Sequence, residues 1–324
     1  GLYGVVKLAR PLRGTPVRVA VVQGNIPQEQ KWDEAFRDAI LERYERLTRV
    51  AGARAPQLII WPEAAVPGIL GEDEVVTARI QRLAQAVAVP LLVGAPMTVP
   101  ANGVSRLTNS AALLGRDGSV TARYDKLHLV PFGEFVPFES VAPWLREALP
   151  PIGDFVPGRD YTVFSTLVRS SKFEVRSTNF ELPASHFEPA FSVLICFEDV
   201  FPELARRFVQ RGAQWLVTIT NDAWFGNTAA PYQHAQASTF RAVELRVPMV
   251  RAANTGWSGC IDSRGRWVAS VRDPRGEELF VEGVAVCEVT VGDTSTVYRR
   301  WGDWFAWLCL LGCLGGGIFA IMKR

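Results

Sequence analysis

FSVLICFED, residues 191 to 199, is the stretch in which the sequence changes most abruptly from apolar to charged. Its apolar half predicts a buried strand that ends at Cys196, and two carboxylates, Glu198 and Asp199, follow. Pro202 then fits the first turn of a helix over ELARRFVQRG. A thiol at this strand-to-helix elbow would be exposed at one end of a sheet, where we expect the helix N-terminus to favour the thiolate. Cys196 is therefore a candidate nucleophile; the alternative is a small, inert core residue.

The overall composition narrows the class of protein. The chain has 324 residues, enough for one large α/β domain with an appendage. Its net charge is +2 and its basic residues are scattered, so no nucleic-acid partner is predicted. The five cysteines form no CxxC pair, and none has a histidine at metal-ligand spacing. We therefore expect no disulfide framework, no metal site and no cofactor.

Strands alternate with helices on both sides of this stretch. The predicted strands are VRVAVVQG at 17–24, LIIW at 58–61, PLLVGAP at 90–96, WLVTIT at 215–220, PMVRAA at 248–253, and FVEGVAVCEVT near the end, with hairpins at 108–126 and 259–271. Helices are predicted at 75–87, 231–246 and 31–50, the last from apolar residues spaced three or four apart: Trp32, Phe36, Ile40, Tyr44 and Leu47. This order predicts a layered α/β domain in which two sheets pack face to face, with helices outside.

Polar side chains follow four of these strands. Glu63 comes after LIIW, Lys126 after the first hairpin, and Asn221 after WLVTIT, while Cys196 ends its own strand. Ligands bind at the carboxyl ends of strands in open α/β sheets. A buried Glu63 could take the thiol proton, and Lys126 could hold the thiolate and then an oxyanion, together with the backbone N–H of Phe197. Taken singly, such a glutamate is usually solvated and such a lysine is usually a surface charge.

Three motifs make the combination specific. WPE at 61–63, YDKLHLVPFGEFVP at 124–137 and ICFED at 195–199 resemble the Glu, Lys and Cys motifs of the nitrilase superfamily. VRVAVVQGNIPQ, NDAWFG at 221–226, QHAQASTFRAVELRVPMVRAANTGWS at 233–258 and the apolar C-terminal segment resemble the bacterial apolipoprotein N-acyltransferases. The resemblance runs from about Val17 to the end, except for 165–190. It implies a four-layer α-β-β-α nitrilase-like sandwich followed by a C-terminal transmembrane helix.

The resemblance also implies an activity. A fatty acyl chain would move from a phospholipid to Cys196 as a thioester, and then to the α-amino group of the diacylglyceryl-cysteine of a bacterial lipoprotein. Glu63 would be the general base, Lys126 the oxyanion partner and Cys196 the nucleophile. Glu134 and Glu198 match further family carboxylates, which we expect to orient Lys126 and the incoming amine. Phe197 stands where a tyrosine is common, so only its backbone role is expected.

Aromatic side chains near these motifs could shield an acyl chain from water. They are Phe132, Phe135, Phe138, Trp224 and Phe225. The alternative is that they are ordinary core residues.

The C-terminal segment indicates a membrane. No charged residue occurs from Trp304 to Met322, a length just sufficient to cross about 30 Å of hydrocarbon. Trp301, Trp304 and Trp307 resemble an interfacial belt, and the terminal Lys323 and Arg324 indicate a cytoplasmic end. The alternative is a buried helix. We therefore expect a transmembrane helix at 301–324 in the bacterial inner membrane, with the catalytic domain on the periplasmic side.

This assignment gives the expected domain organisation. Residues 1–15 would be a linker or the remnant of a preceding membrane region, and residues 16–300 the catalytic domain. Within that domain we expect a helix-like patch at 144–148 and an inserted loop at 165–190.

Two other functions stay open. A membrane-anchored amidase or nitrilase would use the same three residues on a small C–N substrate. An inactive scaffold would keep the fold and only bind lipoprotein precursors.

Overall fold

A computed structural model describes residues 2–9, 11–101, 103–137, 144, 154–165, 189–292 and 295–322. Nearly all of the predicted inserted loop at 165–190 lies outside these residues, as do Phe138 and the helix-like patch at 145–148.

Strands and helices alternate through the described residues, as the sequence predicts. The strands are β1 (Thr15–Gln23), β2 (Leu58–Ile60), β3 (Leu91–Ala101), β4 (Val104–Leu114), β5 (Val120–Asp125), β6 (Phe191–Ile195), β7 (Trp215–Thr220), β8 (Met249–Ala253), β9 (Gly259–Ile261), β10 (Trp267–Ser270) and β11 (Gly283–Val291). The α-helices are α1 (Leu2–Ala9), α2 (Arg37–Gly52), α3 (Glu74–Val87), α4 (Pro202–Gln210), α5 (Ala230–Leu245), α6 (Val297–Trp301) and α7 (Trp304–Met322).

The strands form two sheets of similar design. The first has the order β11-β1-β2-β3-β4-β5 and the second the order β10-β9-β8-β7-β6. In each sheet three neighbouring strands are parallel, β1-β2-β3 and β6-β7-β8, and antiparallel strands extend the sheet from them. The carboxyl ends of the parallel strands therefore supply polar side chains from both sheets.

Successive side chains along the strands of the first sheet point to opposite faces and pack into two different hydrophobic cores. In β2, Leu58 and Ile60 join the core that contains side chains of both sheets, whereas Ile59 joins the core beneath α2 and α3. On the second sheet, Leu204 and Phe208 of α4 and residues of α5 complete the shared core. The two-sheet α/β fold predicted from the sequence is confirmed.

The start of α2 differs from the prediction. The helix begins at Arg37 and not at Lys31, because Asp33 caps a separate 3-10 turn, Glu34–Phe36, by accepting a hydrogen bond from the N–H of Ala35. Trp32 and Phe36 therefore do not share the buried face of α2, and they are 55% and 38% exposed. Their helical spacing to Ile40 was misleading.

Two cysteines correct the prediction that no disulfide would form. Cys260 of β9 is bonded to Cys287 of β11, with Cα atoms 6.4 Å apart and a sequence separation of 27. The two strands belong to different sheets, so the bond joins the sheets through the core. Spacing along the sequence could not reveal this pair, because the fold alone brings the two strands together.

The C-terminal segment is helical from Trp304 to Met322. Across the ranges described above, no helix is both long enough and apolar enough to cross a membrane. The predicted crossing at 301–324 therefore stays a prediction.

Candidate active site

Cys196 lies at a sharp turn directly after β6. Its backbone has φ = 55°, in the left-handed region that β-carbon-bearing residues seldom adopt, and a 3-10 turn, Cys196–Val200, begins at this residue. Such strain is typical of functional residues held by a surrounding fold. Helix α4 begins only at Pro202, six residues later, so the predicted contact of the thiol with an α-helix N-terminus is wrong.

The electrostatics of Cys196 also differ from the expectation that its surroundings favour the thiolate. Burial, and next the negative charge of Glu63, raise the pKa of the Cys196 thiol, while Lys126 and a hydrogen bond with Thr220 lower it less. The thiol is therefore protonated near neutral pH. Its nucleophilicity depends on losing the proton during attack, to a base within reach.

Glu63 is a carboxylate held in a fixed orientation by hydrogen bonds. One carboxylate oxygen, Oε1, accepts a hydrogen bond from Asn109 Nδ2 at 2.8 Å, and the other, Oε2, accepts one from the N–H of Asn221 at 2.9 Å. Lys126 Nζ lies 3.5 Å from Oε1. The carboxylate is thus buried and oriented by donors from both sheets.

A glycine shapes the turn that carries Glu63. A Cβ at Gly94 would collide with the carbonyl oxygen of Pro62, and it would lie 2.7 Å from the Cα of Glu63. The carbonyl of Gly94 accepts hydrogen bonds from the N–H groups of Ala65 and Val66 at 2.8 and 3.2 Å. The turn after β2 therefore packs directly on the backbone of β3.

Lys126 is a buried cation between two carboxylates. Its Nζ lies 2.8 Å from Glu134 Oε2 and 3.5 Å from Glu63 Oε1. Burial acts to lower the pKa of Lys126, but the charges of Glu63, Cys196 and Glu134 outweigh it and raise the pKa. Lys126 therefore stays an ammonium over the pH range in which proteins are folded, and it is suited to stabilising a negative oxygen or sulfur.

Asn109 is a site residue that the sequence analysis missed. Its Nδ2 donates to Glu63 Oε1 at 2.8 Å and to Glu134 Oε1 at 2.7 Å, and its main-chain carbonyl oxygen accepts from the N–H of Lys126 at 2.9 Å. Asn109 thus contacts three charged residues that come from different parts of the chain. In the sequence, Asn109 could have been noticed as a polar residue within TNSAALL, the buried half of β4.

Glu198 has a different place from the one expected. It is fully buried, and its carboxylate accepts hydrogen bonds from the hydroxyl of Tyr124 and from the N–H groups of Leu127, His128 and Ile195, at 2.7 to 3.0 Å. Burial raises its pKa to about 7, against these hydrogen bonds. Glu198 therefore links the loop after Lys126 to the turn at Cys196 through hydrogen bonds. This position supports a structural role and not the expected contact with an incoming amine.

A second buried network lies behind the nucleophile. Arg251, which is fully buried in β8, donates to Asp199 Oδ2 at 2.9 Å and to Asp222 Oδ2 at 3.0 Å. His234 of α5 lies between the same carboxylates, 3.0 Å from Asp199 and 2.8 Å from Asp222. Thr220 links the network to the site, since it donates to Asp222 and interacts with the Cys196 thiol. None of these roles was predicted from the sequence.

Asn221 and the predicted aromatic residues occupy distinct positions. Asn221 is buried, and its Nδ2 donates to Gln28 Oε1 at 2.7 Å. Trp224 is 73% exposed, and Phe132, Phe197 and Phe225 are also exposed. The core alternative is therefore wrong for Phe132, Trp224 and Phe225. The ring of Phe197 packs edge-on against Phe201, with centroids 5.4 Å apart.

Curated relatives resemble nearly the whole chain. An apolipoprotein N-acyltransferase from Geobacter metallireducens is 41% identical over 323 residues, covering 99% of this chain and 57% of the relative. Proteins of the same name from Haemophilus ducreyi and Bradyrhizobium diazoefficiens are 32% and 36% identical, covering 95% and 93% of this chain. The chain spans 57%, 57% and 54% of the lengths of these three relatives.

Solved structures show the same fold at low identity. A mutant amidase of the nitrilase superfamily from Nesterenkonia has a TM-score of 0.58 at 19% identity, covering 86% of this chain and 92% of that one. Nit3 of Saccharomyces cerevisiae, from the same superfamily, has a TM-score of 0.59 at 19% identity, covering 85% and 90%. The carbon-nitrogen hydrolase family model matches residues 18–297. With this match over most of its length, the chain belongs to the carbon-nitrogen hydrolase family.

Proposed function

We propose that the chain is the acyl-transferring part of an apolipoprotein N-acyltransferase. It would move a fatty acyl chain from a phospholipid, through a thioester on Cys196, to the α-amino group of a diacylglyceryl lipoprotein. The observation that carries this proposal is the convergence of Glu63, Lys126 and Cys196 in a chain so similar to proteins of that name.

In the first step, Glu63 takes the proton of the Cys196 thiol as the sulfur attacks the carbonyl carbon of a phospholipid ester. The raised pKa of the thiol makes this transfer part of the attack and not a preceding equilibrium. The oxyanion of the tetrahedral intermediate faces the ammonium of Lys126, joined by the backbone N–H of Phe197. The C–O bond then breaks, Glu63 returns the proton to the leaving alkoxide, and lysophospholipid departs.

In the second step, the α-amino group of the acceptor attacks the thioester carbon. Glu63 takes a proton from the nitrogen, the C–S bond breaks, and the thiolate leaves under the positive charge of Lys126 before it is reprotonated. Acyl transfer and hydrolysis of the thioester differ only in whether an amine or water attacks the carbonyl carbon. The site must therefore favour an amine over water.

We also infer a place at the membrane surface. An acyl donor resides in a bilayer, and the exposed aromatic side chains Phe132, Trp224 and Phe225 provide apolar surface. The sequence contains no Asp, Glu, Lys or Arg from Trp304 to Met322, and on this ground we propose the transmembrane segment at 301–324. The disulfide between the sheets supports an oxidising compartment, such as the periplasmic side of the bacterial inner membrane. In this proposal residues 16–300 are the catalytic domain and residues 301–324 are the transmembrane segment.

The proposal is tested by looking for the thioester. Incubation of the protein with phospholipid vesicles should give an acyl adduct on Cys196 that hydroxylamine removes, seen by intact-mass and peptide measurements. Addition of a diacylglyceryl-cysteine peptide should discharge this adduct into an N-acyl peptide. An adduct on another residue, or transfer that survives Cys196→Ala, would reject the mechanism.

The amidase or nitrilase alternative gives a different result with the same protein. It predicts ammonia release from small amides or nitriles and no dependence on phospholipid. The fold shared with the Nesterenkonia amidase does not favour it, because a likeness at 19% identity shows the architecture alone.

A further inference from the structure

Lys31 is a buried lysine that has no part in the mechanism described above, although it lies beside the proposed base, Glu63. It follows β1 after a short 3-10 turn, Gln28–Gln30, and is only 3% exposed. Its Nζ donates a hydrogen bond to the main-chain carbonyl oxygen of Glu63 at 2.9 Å. A buried ammonium is costly unless nearby groups compensate its charge, so this location requires a reason.

The segment that carries Lys31 is fastened to the ends of strands in the second sheet. Gln28 accepts from Asn221 Nδ2 at 2.7 Å, and Ile26 exchanges two hydrogen bonds with the side chain of Asn254, at 2.9 and 2.7 Å. Asn221 in turn donates its N–H to the carboxylate of Glu63. Lys31 is therefore held in one position relative to Glu63 by contacts on both sides of the site.

The charges of the site leave a role for a second cation. Lys126 already faces two carboxylates, those of Glu134 and Glu63. When the proton moves from Cys196 to Glu63, one negative charge moves from the carboxylate to the sulfur, so the site still holds two negative charges, of which Lys126 alone balances one. Glu63 and Cys196 are the groups whose charges act on Lys31: burial lowers the pKa of Lys31 to about 8, and these two groups partly oppose that effect.

We propose that Lys31 is a second active-site cation, which positions Glu63 through its main-chain carbonyl and stabilises the negative charge that forms on the Cys196 sulfur. When the S–H bond of Cys196 breaks and the proton moves to Glu63, the thiolate is balanced by Lys31 and Lys126 together. The consequence for acyl transfer rests on the proposed function. The consequence for thiol reactivity does not, because it concerns only the sulfur and the charges around it.

The experiment measures alkylation of Cys196 by iodoacetamide between pH 6 and 10, followed on the Cys196 peptide by mass spectrometry so that Cys309 and Cys313 do not interfere. Lys31→Met should slow alkylation by about tenfold near neutral pH, the effect of about one pKa unit on the thiol, and shift the pH profile upward. Lys31→Arg, which keeps a positive donor, should restore most of the rate. Arg49→Met, which removes a positive charge from the exposed face of α2, is the matched control and should react like the wild type.

Lys31→Gln separates charge from hydrogen bonding, because its amide can donate to the Glu63 carbonyl without a charge. It should be nearly as slow as Lys31→Met while melting within a few degrees of the wild type, and it replaces Lys31→Met if that variant does not fold. A wild-type alkylation rate in Lys31→Gln overturns the proposal, as does an equal slowing in Arg49→Met. With phospholipid, kcat for acylation should fall while KM changes little.

Failure of the proposed function gives a different pattern from failure of this inference. If the wild type forms no acyl adduct but alkylation still depends on Lys31, the acyl-transfer proposal fails and the second cation stands. If the adduct forms equally fast with and without the Lys31 charge, the acyl-transfer proposal stands and the second cation fails.

Discussion

Asn109 is an uncharged side chain that binds two carboxylates of the site. It donates to Glu63 and Glu134 at once, so it keeps two negative groups apart while both face Lys126. Asn109→Leu should remove both hydrogen bonds and lower the rate of Cys196 acylation roughly 10- to 100-fold, since hydrogen bonds to charged groups contribute about 1.5–3 kcal/mol.

Single-turnover acylation, with folding checked by circular dichroism, measures this effect. Ser105→Ala, on the exposed end of the same strand, is the control and should leave the rate unchanged. A rate for Asn109→Leu within twofold of the wild type would show that Glu63 is oriented without Asn109.

Single residues also show what sequence can reveal about a site. Cys196, Glu63 and Lys126 were identifiable because each one interrupts or follows a strongly patterned strand inside a family motif. Lys31 and Asn109 were missed because nothing local distinguishes them. One precedes an exposed tryptophan and the other lies within a strand, and their partners are 32 and 46 residues away along the chain.

Among the strands, the contact between β3 and the turn after β2 fixes the position of the base. Gly94→Ala should push the Pro62–Glu63 backbone away from β3, because the added methyl has no space there. We expect a loss of about 1–3 kcal/mol in the free energy of unfolding, as for other overpacked sites, and a loss of acylation larger than stability explains.

Urea denaturation and single-turnover acylation measure the two effects. Gly4→Ala, where an added methyl meets nothing within 4 Å, is the matched control. Full acylation activity in Gly94→Ala would show that the turn adapts without moving Glu63.

The pairing of α5 with the Cys196 turn should make stability depend on pH. Burial and Arg251 act to lower the pKa of His234, but the carboxylates of Asp199 and Asp222 outweigh them and raise it to about 9, above the usual 6.5. A raised pKa in the folded state stabilises the fold fully below about pH 6.5, and this contribution is lost as pH rises through 9. Its size is of the order of 3 kcal/mol.

Urea denaturation at intervals from pH 6 to pH 10 measures this dependence. The difference between the wild type and His234→Gln should shrink over this range, and taking the difference removes the opposite effect of Lys31, whose lowered pKa falls in the same window. A constant difference would mean that the pKa of His234 is the same in the folded and the unfolded protein.

Elements were predicted with uneven success, for physical reasons. Buried strands such as β7 were found to the residue because an apolar run bounded by polar residues has few alternatives. The start of α2 was wrong because the apolar spacing continues backwards through the Asp33 cap, and only the local hydrogen bond decides where the helix begins. The network of Arg251, Asp199 and Asp222 was invisible because its members come from three separate elements.

For the molecule as a whole, the disulfide between the sheets should contribute to stability. A bond that closes a loop of 27 residues restricts the unfolded chain, and we expect about 3–4 kcal/mol from it. Without reductant, the unfolded protein should take up three alkyl groups, on Cys196, Cys309 and Cys313, and after reduction five.

Dithiothreitol should lower the urea midpoint of the wild type but not that of the double variant Cys260→Ala, Cys287→Ala. Incorporation of five alkyl groups without reductant would show that the two thiols are free.

The proposed base and nucleophile belong to different sheets. Glu63 follows a strand of the first sheet and Cys196 follows a strand of the second, and the main-chain N–H of Asn221 donates a hydrogen bond from the second sheet to the Glu63 carboxylate. A slide of one sheet over the other by a single ångström would leave every motif intact and yet separate proton donor from acceptor. The rate of Cys196 acylation should therefore respond to sheet alignment more sensitively than any spectroscopic measure of folding. Substitutions deep in the shared core should lower that rate in a protein whose spectra still appear native.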